Sequence, residues 1–183
     1  MRFRDLFRNL LRTALMAFAL IANTGAAGGP NGVTSPAIDT TGANLLVMNI
    51  TWYDGVLANV NEIDSKSNTW TELTLRESTD LRTRLYWCVN PTVGSGHTFG
   101  NADNDTYSSV EVSAWSGASA TPADLETGAT GGIVSVLSTG SITPTENNCL
   151  VIAALGQTNV GGAISIDGGF TITNSAAYGA GNN

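Results

Sequence analysis

The sequence has few of the residue types from which catalytic and metal sites are usually built. It contains one histidine, two cysteines and five prolines in 183 residues, and only 13% of its residues are charged. No spacing typical of a zinc site is present. Acids outnumber bases to give a net charge of −7. Because an acidic body repels phosphate backbones, and no basic stripe with aromatics is present, we expect no nucleic acid partner.

What the sequence does have is apolar residues (42%) and 21 glycines. Polar and apolar residues alternate in Leu45–Tyr53 and Leu81–Val89, as half-buried strands require. The unbroken apolar run Cys149–Leu155 indicates a strand covered on both faces. Shorter candidate strands are Val60–Ile63, Thr71–Leu75, His97–Phe99, Val110–Trp115, Ile133–Thr139, Ile164–Ile166 and Phe170–Thr173. We therefore predict an all-β, two-sheet antiparallel sandwich of jelly-roll or immunoglobulin-like topology.

A leader, residues 1–27, precedes the predicted sandwich of residues 28–183. Four arginines come first, and the uncharged segment Thr13–Ala22 and several small residues follow. This order predicts a signal peptide with Thr24 and Ala26 at its cleavage site. The same residues also fit a short amphipathic helix that lies on a membrane or docks on a partner. The apolar stretch is too short to span a bilayer, so we expect membrane contact only through the leader.

The C-terminal residues lack the pattern of a final, paired sandwich strand. Phe170–Thr173 is followed by small, polar and glycine residues up to Asn183. An unpaired sheet edge is a liability, so a sandwich usually ends on a paired strand. We therefore expect the sandwich domain to be truncated at its C-terminus.

Four segments resemble uncharacterised β-sandwich modules of tailed-phage virion proteins and of secreted bacterial surface proteins. They are Ile63–Thr71, Arg84–Phe99, Ala114–Ala118 and Ser141–Asn148. The likeness spans about residues 33–175 and consists of turn and strand motifs, so it concerns the fold more than any chemistry. A glycine is usual in these modules where this chain has Ser67. The resemblance implies a virion or an extracellular, secreted location, with other virion or surface chains as partners.

The sequence offers no signature of catalysis. His97 is the histidine that a Ser–His–Asp arrangement would need, but no Gly-x-Ser-x-Gly motif accompanies it. We favour a turn-flanking histidine with ordinary hydrogen bonds. Glycan hydrolysis needs two facing carboxylates, and none of the glutamates lies in a recognisable signature. We predict a non-enzymatic structural or adhesion module, with a glycan-active hydrolase as the third hypothesis.

Carbohydrate binding is the second hypothesis, with Trp115, Glu111 and Tyr86 as candidate ligand contacts. Trp115 shares the polar face of its predicted strand with Glu111, which suits an exposed ring on which a sugar stacks. The alternative is that Trp115 packs beneath the loop that follows it.

Calcium is the one cofactor that the sequence suggests. Asn101, Asp103 and Asp105 place oxygen-bearing side chains at alternate positions, and calcium takes six to eight oxygens. The run lacks the glycine and the glutamate of an EF-hand loop, since Thr106 and Val112 stand in their places. A solvated turn without metal is the alternative.

The two cysteines, Cys88 and Cys149, lie in or beside predicted strands. Export into an oxidising compartment would permit a disulfide between them. Two free thiols are the alternative.

Overall fold

The computed structural model describes residues 17–53, 60–103, 107–122, 125–132, 134, 136–158, 165–166 and 168–176. All regular structure in that part is β, which confirms the predicted fold class. The strands are β1 (Ala19–Gly28), β2 (Val33–Thr34), β3 (Leu45–Tyr53), β4 (Glu62–Asp64), β5 (Thr71–Glu72), β6 (Arg76–Ser78), β7 (Leu81–Val89), β8 (Phe99–Asn101) and β9 (Tyr107–Ser116). Over the same residues, no helix is long and apolar enough to cross a membrane.

The strands form two antiparallel sheets in a sandwich-like arrangement. The large sheet has six strands in the order β1-β9-β3-β7-β5, with β6 also paired to β7. The small sheet has three strands in the order β2-β8-β4. β3 lies at the centre of the large sheet and pairs along its whole length with β7 on one side and β9 on the other. The predicted bounds of β3 and β7 are both confirmed.

The core lies on one face of the large sheet. β3 supplies the side chains of Leu46, Met48, Ile50 and Trp52, all at 0% exposure. Phe99, on the small sheet, belongs to the same cluster of buried residues. Removal of this apolar surface from water is the main favourable term in folding.

Alternation along β7 puts Leu85 and Trp87 on its more apolar face, which predicts that this face meets the core. In the structure the opposite face does so. The register places Tyr86 beside Met48, so Tyr86 and Cys88 face the core, while Leu85 and Trp87 point the other way. We call this outer side of the large sheet the second face. The second face carries apolar residues because the C-terminal region covers part of it. A Cβ on Gly156, for example, would lie 2.6 Å from the side chain of Thr51.

The end of the predicted leader is a strand of the domain. β1 pairs with β9 from Ala19↔Ser116 to Gly28↔Ser108, with one irregularity between Leu20 and Ala22. Residues 17–28 therefore contain no helix, and the helical leader has no support in them. Residues 1–16, with the four arginines, lie outside the described residues. Thr24 and Ala26 lie inside β1, so a cleavage after Ala26 would remove most of this strand.

The described residues after Ser116 form no strand. The prediction of a strand at Cys149–Leu155 is wrong: this segment has no strand partner among the described residues, and its own residues alternate between half-buried and exposed. One side of the segment faces the protein and the other faces solvent. Phe170–Thr173 also forms no strand, and Ile133–Thr139 and Ile164–Ile166 lie partly outside the described residues.

Candidate functional site

The single histidine lies at the centre of a buried polar cluster formed by Thr40, Asp64, Asn68, Trp70 and His97, which we call the His97 cluster. His97 follows a Gly-Ser-Gly loop and forms an isolated β-bridge with Ile38. Asp64 ends β4 and begins the turn to Trp70. The cluster therefore joins three loops that are far apart in sequence. The prediction of a turn-flanking histidine missed this role, because Thr40 and Asp64 reach His97 only in the folded chain.

Asp64 is the main hydrogen-bond acceptor of the cluster. Its Oδ1 accepts from His97 Nε2 at 2.9 Å. Its Oδ2 accepts from Trp70 Nε1 at 3.0 Å. Further hydrogen bonds come from the backbone N–H of Lys66 at 2.8 Å, and from the backbone N–H and side-chain amide of Asn68, both at 3.0 Å. A carboxylate that accepts five hydrogen bonds is satisfied without water.

The surroundings set the charge of both partners. Burial works against ionisation of Asp64, but the hydrogen bonds, first among them that from His97, hold its pKa below the usual value. Burial lowers the pKa of His97, against the opposing effect of its hydrogen bond to Asp64. Asp64 is therefore ionised and accepts from Nε2–H. With the imidazole neutral, Nδ1 is an acceptor, and the one proton of the Thr40 hydroxyl lies between Nδ1, 3.0 Å away, and the carbonyl oxygen of Gly94, 3.2 Å away.

The contacts among Thr40, His97 and Asp64 are those of a hydroxyl–imidazole–carboxylate triad, but all three side chains are shielded from solvent. Thr40 and His97 are both 0% exposed, and the Asp64 side chain is 1% exposed. A nucleophile must reach the reacting atom of a substrate at close range, and no substrate atom can reach this hydroxyl. The imidazole also packs on Phe99, with ring centroids 4.1 Å apart. The arrangement fixes the loops and leaves no surface on which to bind a substrate.

The turn after β4 shows why the cluster forms locally. Ser67 adopts φ = 56°, a left-handed conformation that favours glycine. The Asp64 carboxylate holds the turn through the N–H groups of Lys66 and Asn68, which is the usual way in which an aspartate starts a turn. The turn therefore keeps its shape with serine in a conformation that costs energy.

A second polar network lies on the second face and includes Glu111. Asn49 donates to Glu111 Oε2 at 2.9 Å and accepts from Thr83 Oγ1 at 2.9 Å. The hydroxyls of Thr83 and Thr51 are 3.0 Å apart. Burial raises the pKa of Glu111 despite its hydrogen bonds, which include one from the backbone of Ala176. Glu111 is therefore half-buried and hydrogen-bonded within this network.

The other two candidate ligand contacts, Trp115 and Tyr86, lie on opposite faces of the large sheet. Trp115 is the last but one residue of β9 and lies on the second face; it is half-buried, and its Nε1 donates to Ser113 Oγ at 2.8 Å. Tyr86 is 0% exposed in the core. Burial raises the pKa of Tyr86 to about 12. The structure therefore does not bring Tyr86 together with Trp115 and Glu111 in one site.

The oxygen-rich run is mostly used by the fold itself. Asn101 is buried; its Oδ1 accepts from Val33 N at 3.2 Å and its Nδ2 donates to Ser108 at 3.1 Å. Asp103 accepts a hydrogen bond from the backbone of Asn61, and Asp105 lies outside the described residues. Among the residues whose positions are described, no group of three or more His, Cys, Asp or Glu side chains lies close enough to hold a metal ion. Asn101 is thus a structural residue of β8.

The two cysteines are in different environments. Cys88 is buried and Cys149 is exposed, and both are free thiols. The Cys88 thiol faces the core, and burial raises its pKa. The disulfide that the sequence suggested is therefore not formed in this structure.

Comparisons of this chain with protein-family models, with curated proteins and with solved structures give no match.

Proposed function

We propose that this chain is a non-enzymatic structural or adhesion module of a virion or a secreted surface, of jelly-roll or immunoglobulin-like type. In this proposal it works by packing against other protein chains. The observation that carries the proposal is the apolar character of the C-terminal region.

Large apolar side chains are exposed along this region. Val136 is 82% exposed, Val134 is 56% exposed and Leu125 is 51% exposed. Others above one-third exposure are Leu137, Val151, Leu155, Ile166, Phe170 and Ile172. Single exposed apolar residues are common, but a long segment rich in them is typical of a surface that another chain covers.

The His97 cluster supports a role without catalysis. A catalytic histidine must exchange protons with a substrate, whereas this imidazole is enclosed by Thr40, Asp64 and Phe99. Its satisfied hydrogen bonds hold loops in place, which suits a module whose work is to present a fixed surface.

Cross-linking followed by mass spectrometry would test the proposal. Purified particles and the secreted fraction of a culture that carries the gene would be treated with a lysine- and carboxylate-reactive cross-linker. We expect cross-links between this chain and other structural proteins, concentrated at Glu126 and Glu146, the carboxylates that flank the exposed apolar segment Val134–Leu137 in the sequence. Recovery of the chain only inside cells, without cross-links to structural proteins, would contradict the proposal.

Two binding assays separate the rival functions. A glycan array, run with and without a calcium chelator, would show whether the protein binds carbohydrate. Hydrolysis of a polysaccharide panel would indicate an enzyme and overturn the non-enzymatic assignment.

A further inference from the structure

β1 forms an edge of the large sheet that differs from every other edge in the described residues. It pairs with β9 only, so its other side carries backbone N–H and C=O groups that no described strand satisfies. Its sequence, ALIANTGAAG, has no charged residue and no proline across ten residues. A long, uncharged edge strand is a template for pairing with another strand.

The remaining edges carry the protections that β1 lacks. At the far side of the large sheet, β5 has two residues and β6 has three, and both contain a charged residue. In the small sheet, β2 has two residues and β4 has three, two of which are acidic. Short length and charge are the usual means by which proteins keep sheet edges from pairing. The contrast is therefore specific to β1.

We propose that β1 is a dimer interface, at which the β1 strands of two copies pair antiparallel about a two-fold axis to make one continuous sheet. The occupant of the edge is a second copy because β1 carries no charge that would repel another β1 and no large side chain in Ala22–Gly28 that would block it. The regular part, Ala22–Gly28, has only small residues, so the two backbones can approach closely. Pairing centred on Gly25 sets Asn23 of one copy opposite Ala27 of the other, on the same face of the joined sheet.

Residues next to this segment add apolar area. Leu20 is 39% exposed and pairs with Trp115, and Ile21, 40% exposed, lies at the irregularity between Leu20 and Ala22. An edge pair gains affinity from main-chain hydrogen bonds and specificity from the side chains beside them. This inference rests on the proposed function, since it names one contact through which such a module assembles.

The test is the mass of the full 183-residue chain in solution, by light scattering across about a hundredfold range of concentration. We expect twice the mass of one chain at high concentration. Asn23→Lys, at an exposed position in the middle of the edge, should reduce this to the mass of one chain. Asn61→Lys is the matched control, because Asn61 is also an exposed asparagine and lies outside both β1 and the apolar C-terminal region.

Hydrogen exchange gives a readout that needs no substitution. The amides of Ala22–Gly28 should exchange more slowly at high concentration than at low, while those of the central strand β3 should not change. A chain that is monomeric at every concentration, or a dimer that persists in Asn23→Lys, would overturn the inference.

The outcomes for the two proposals are distinguishable. If Val136→Lys dissociates the assembly and Asn23→Lys does not, the assembly function stands and the β1 interface is wrong. If the chain forms β1 dimers but shows no cross-links to structural proteins in particles or secretions, the interface stands and the proposed function is wrong.

Discussion

Residues 19–116 and residues 117–176 have similar shares of apolar side chains but very different structures. The first region contains all nine strands and every buried hydrophobic residue of the core. The described part of the second region contains no strand and exposes nine large apolar side chains, from Leu125 to Ile172.

Leu45–Tyr53 and Cys149–Leu155 show what makes the difference. Both are apolar runs of strand length, but the first has β7 and β9 on its two sides and the second has no described strand beside it. A strand needs backbone partners as well as apolar side chains, because its N–H and C=O groups must be satisfied. Apolar pattern therefore indicates where a strand can form and not whether its partners are present.

The largest difference between the regions should appear when one carboxylate is removed from each. Asp64→Ala leaves buried donors on His97 and Trp70 without an acceptor, and should lower the free energy of unfolding by about 3 kcal/mol. Glu126→Ala, in the second region, removes an exposed acceptor for the backbone N–H of Thr74. It should leave the denaturation midpoint nearly unchanged. Equal losses in the two variants would show that the C-terminal region is as integral as the strands.

Limited proteolysis should show the same difference between the two regions. A protease of broad specificity should cut first between Gly117 and Thr158, where the described backbone lacks strand hydrogen bonds, and only later within β3, β7 or β9. Mass mapping of the early fragments would locate the cuts. First cuts inside β3 would contradict the division into two regions.

Thiol reactivity provides a smaller difference between the regions, with one cysteine in each. Cys149 is exposed and should react with a thiol reagent in the native protein, whereas Cys88 is buried and should react only after denaturation. Thiol counting before and after addition of denaturant would check this. Rapid labelling of both cysteines in the native protein would show that the core opens readily, and no labelling after denaturation would indicate a disulfide.

Acid should weaken the strand-bearing region through His97. Burial lowers the pKa of His97 in the folded protein. As the pH falls below about 6.5, the unfolded chain therefore binds a proton before the folded chain does, and the stability present above that pH is lost. Asp64, whose pKa is also lowered, adds a loss below about pH 3.9. Glu62 and Glu111 have the opposite effect on stability. Burial raises their pKa values, so their protonation as the pH falls favours the folded protein.

His97→Gln isolates the histidine in this pH dependence. The stability of this variant, measured by denaturant unfolding, should vary less than that of the wild type between about pH 6.5 and 5. Identical slopes in the two proteins would mean that His97 does not titrate in this range.

The smallest effect expected is a gain within the strand-bearing region. Ser67→Gly should stabilise the protein by about 0.5–1 kcal/mol, because glycine adopts a positive φ without strain. Ser65→Gly is the control: the Ser65 hydroxyl accepts a hydrogen bond from Thr98 N, so its removal should destabilise. A loss of stability in Ser67→Gly would indicate that the serine side chain has a role beyond filling the turn.

The sequence predicted the fold class and the long central strands because their alternation reports local geometry. It failed at β1, whose small uncharged residues form a strand through pairing with β9 and also match the end of a signal peptide. It also assigned β7 to the wrong face, since both faces of this strand are partly covered. These failures depend on contacts between distant residues, which periodicity does not record.

The candidate site was less predictable than the fold. Trp115 was correctly placed on the same strand face as Glu111, but the cover over Glu111 comes from residues around Ala176. The His97 cluster depends on Thr40 and Asp64, which no spacing in the sequence links to His97. The one local signal was the run of turn-forming residues from Asp64 to Asn68.

The pairing of β1 with β9 also constrains the order of folding. During synthesis β1 leaves the ribosome before any other described strand, and its partner β9 is the last of them to emerge. Pairings between distant segments form slowly because a large loop must close first. The large sheet should therefore close late, after β3 and β7 have paired, and refolding should show β1 amides gaining protection last.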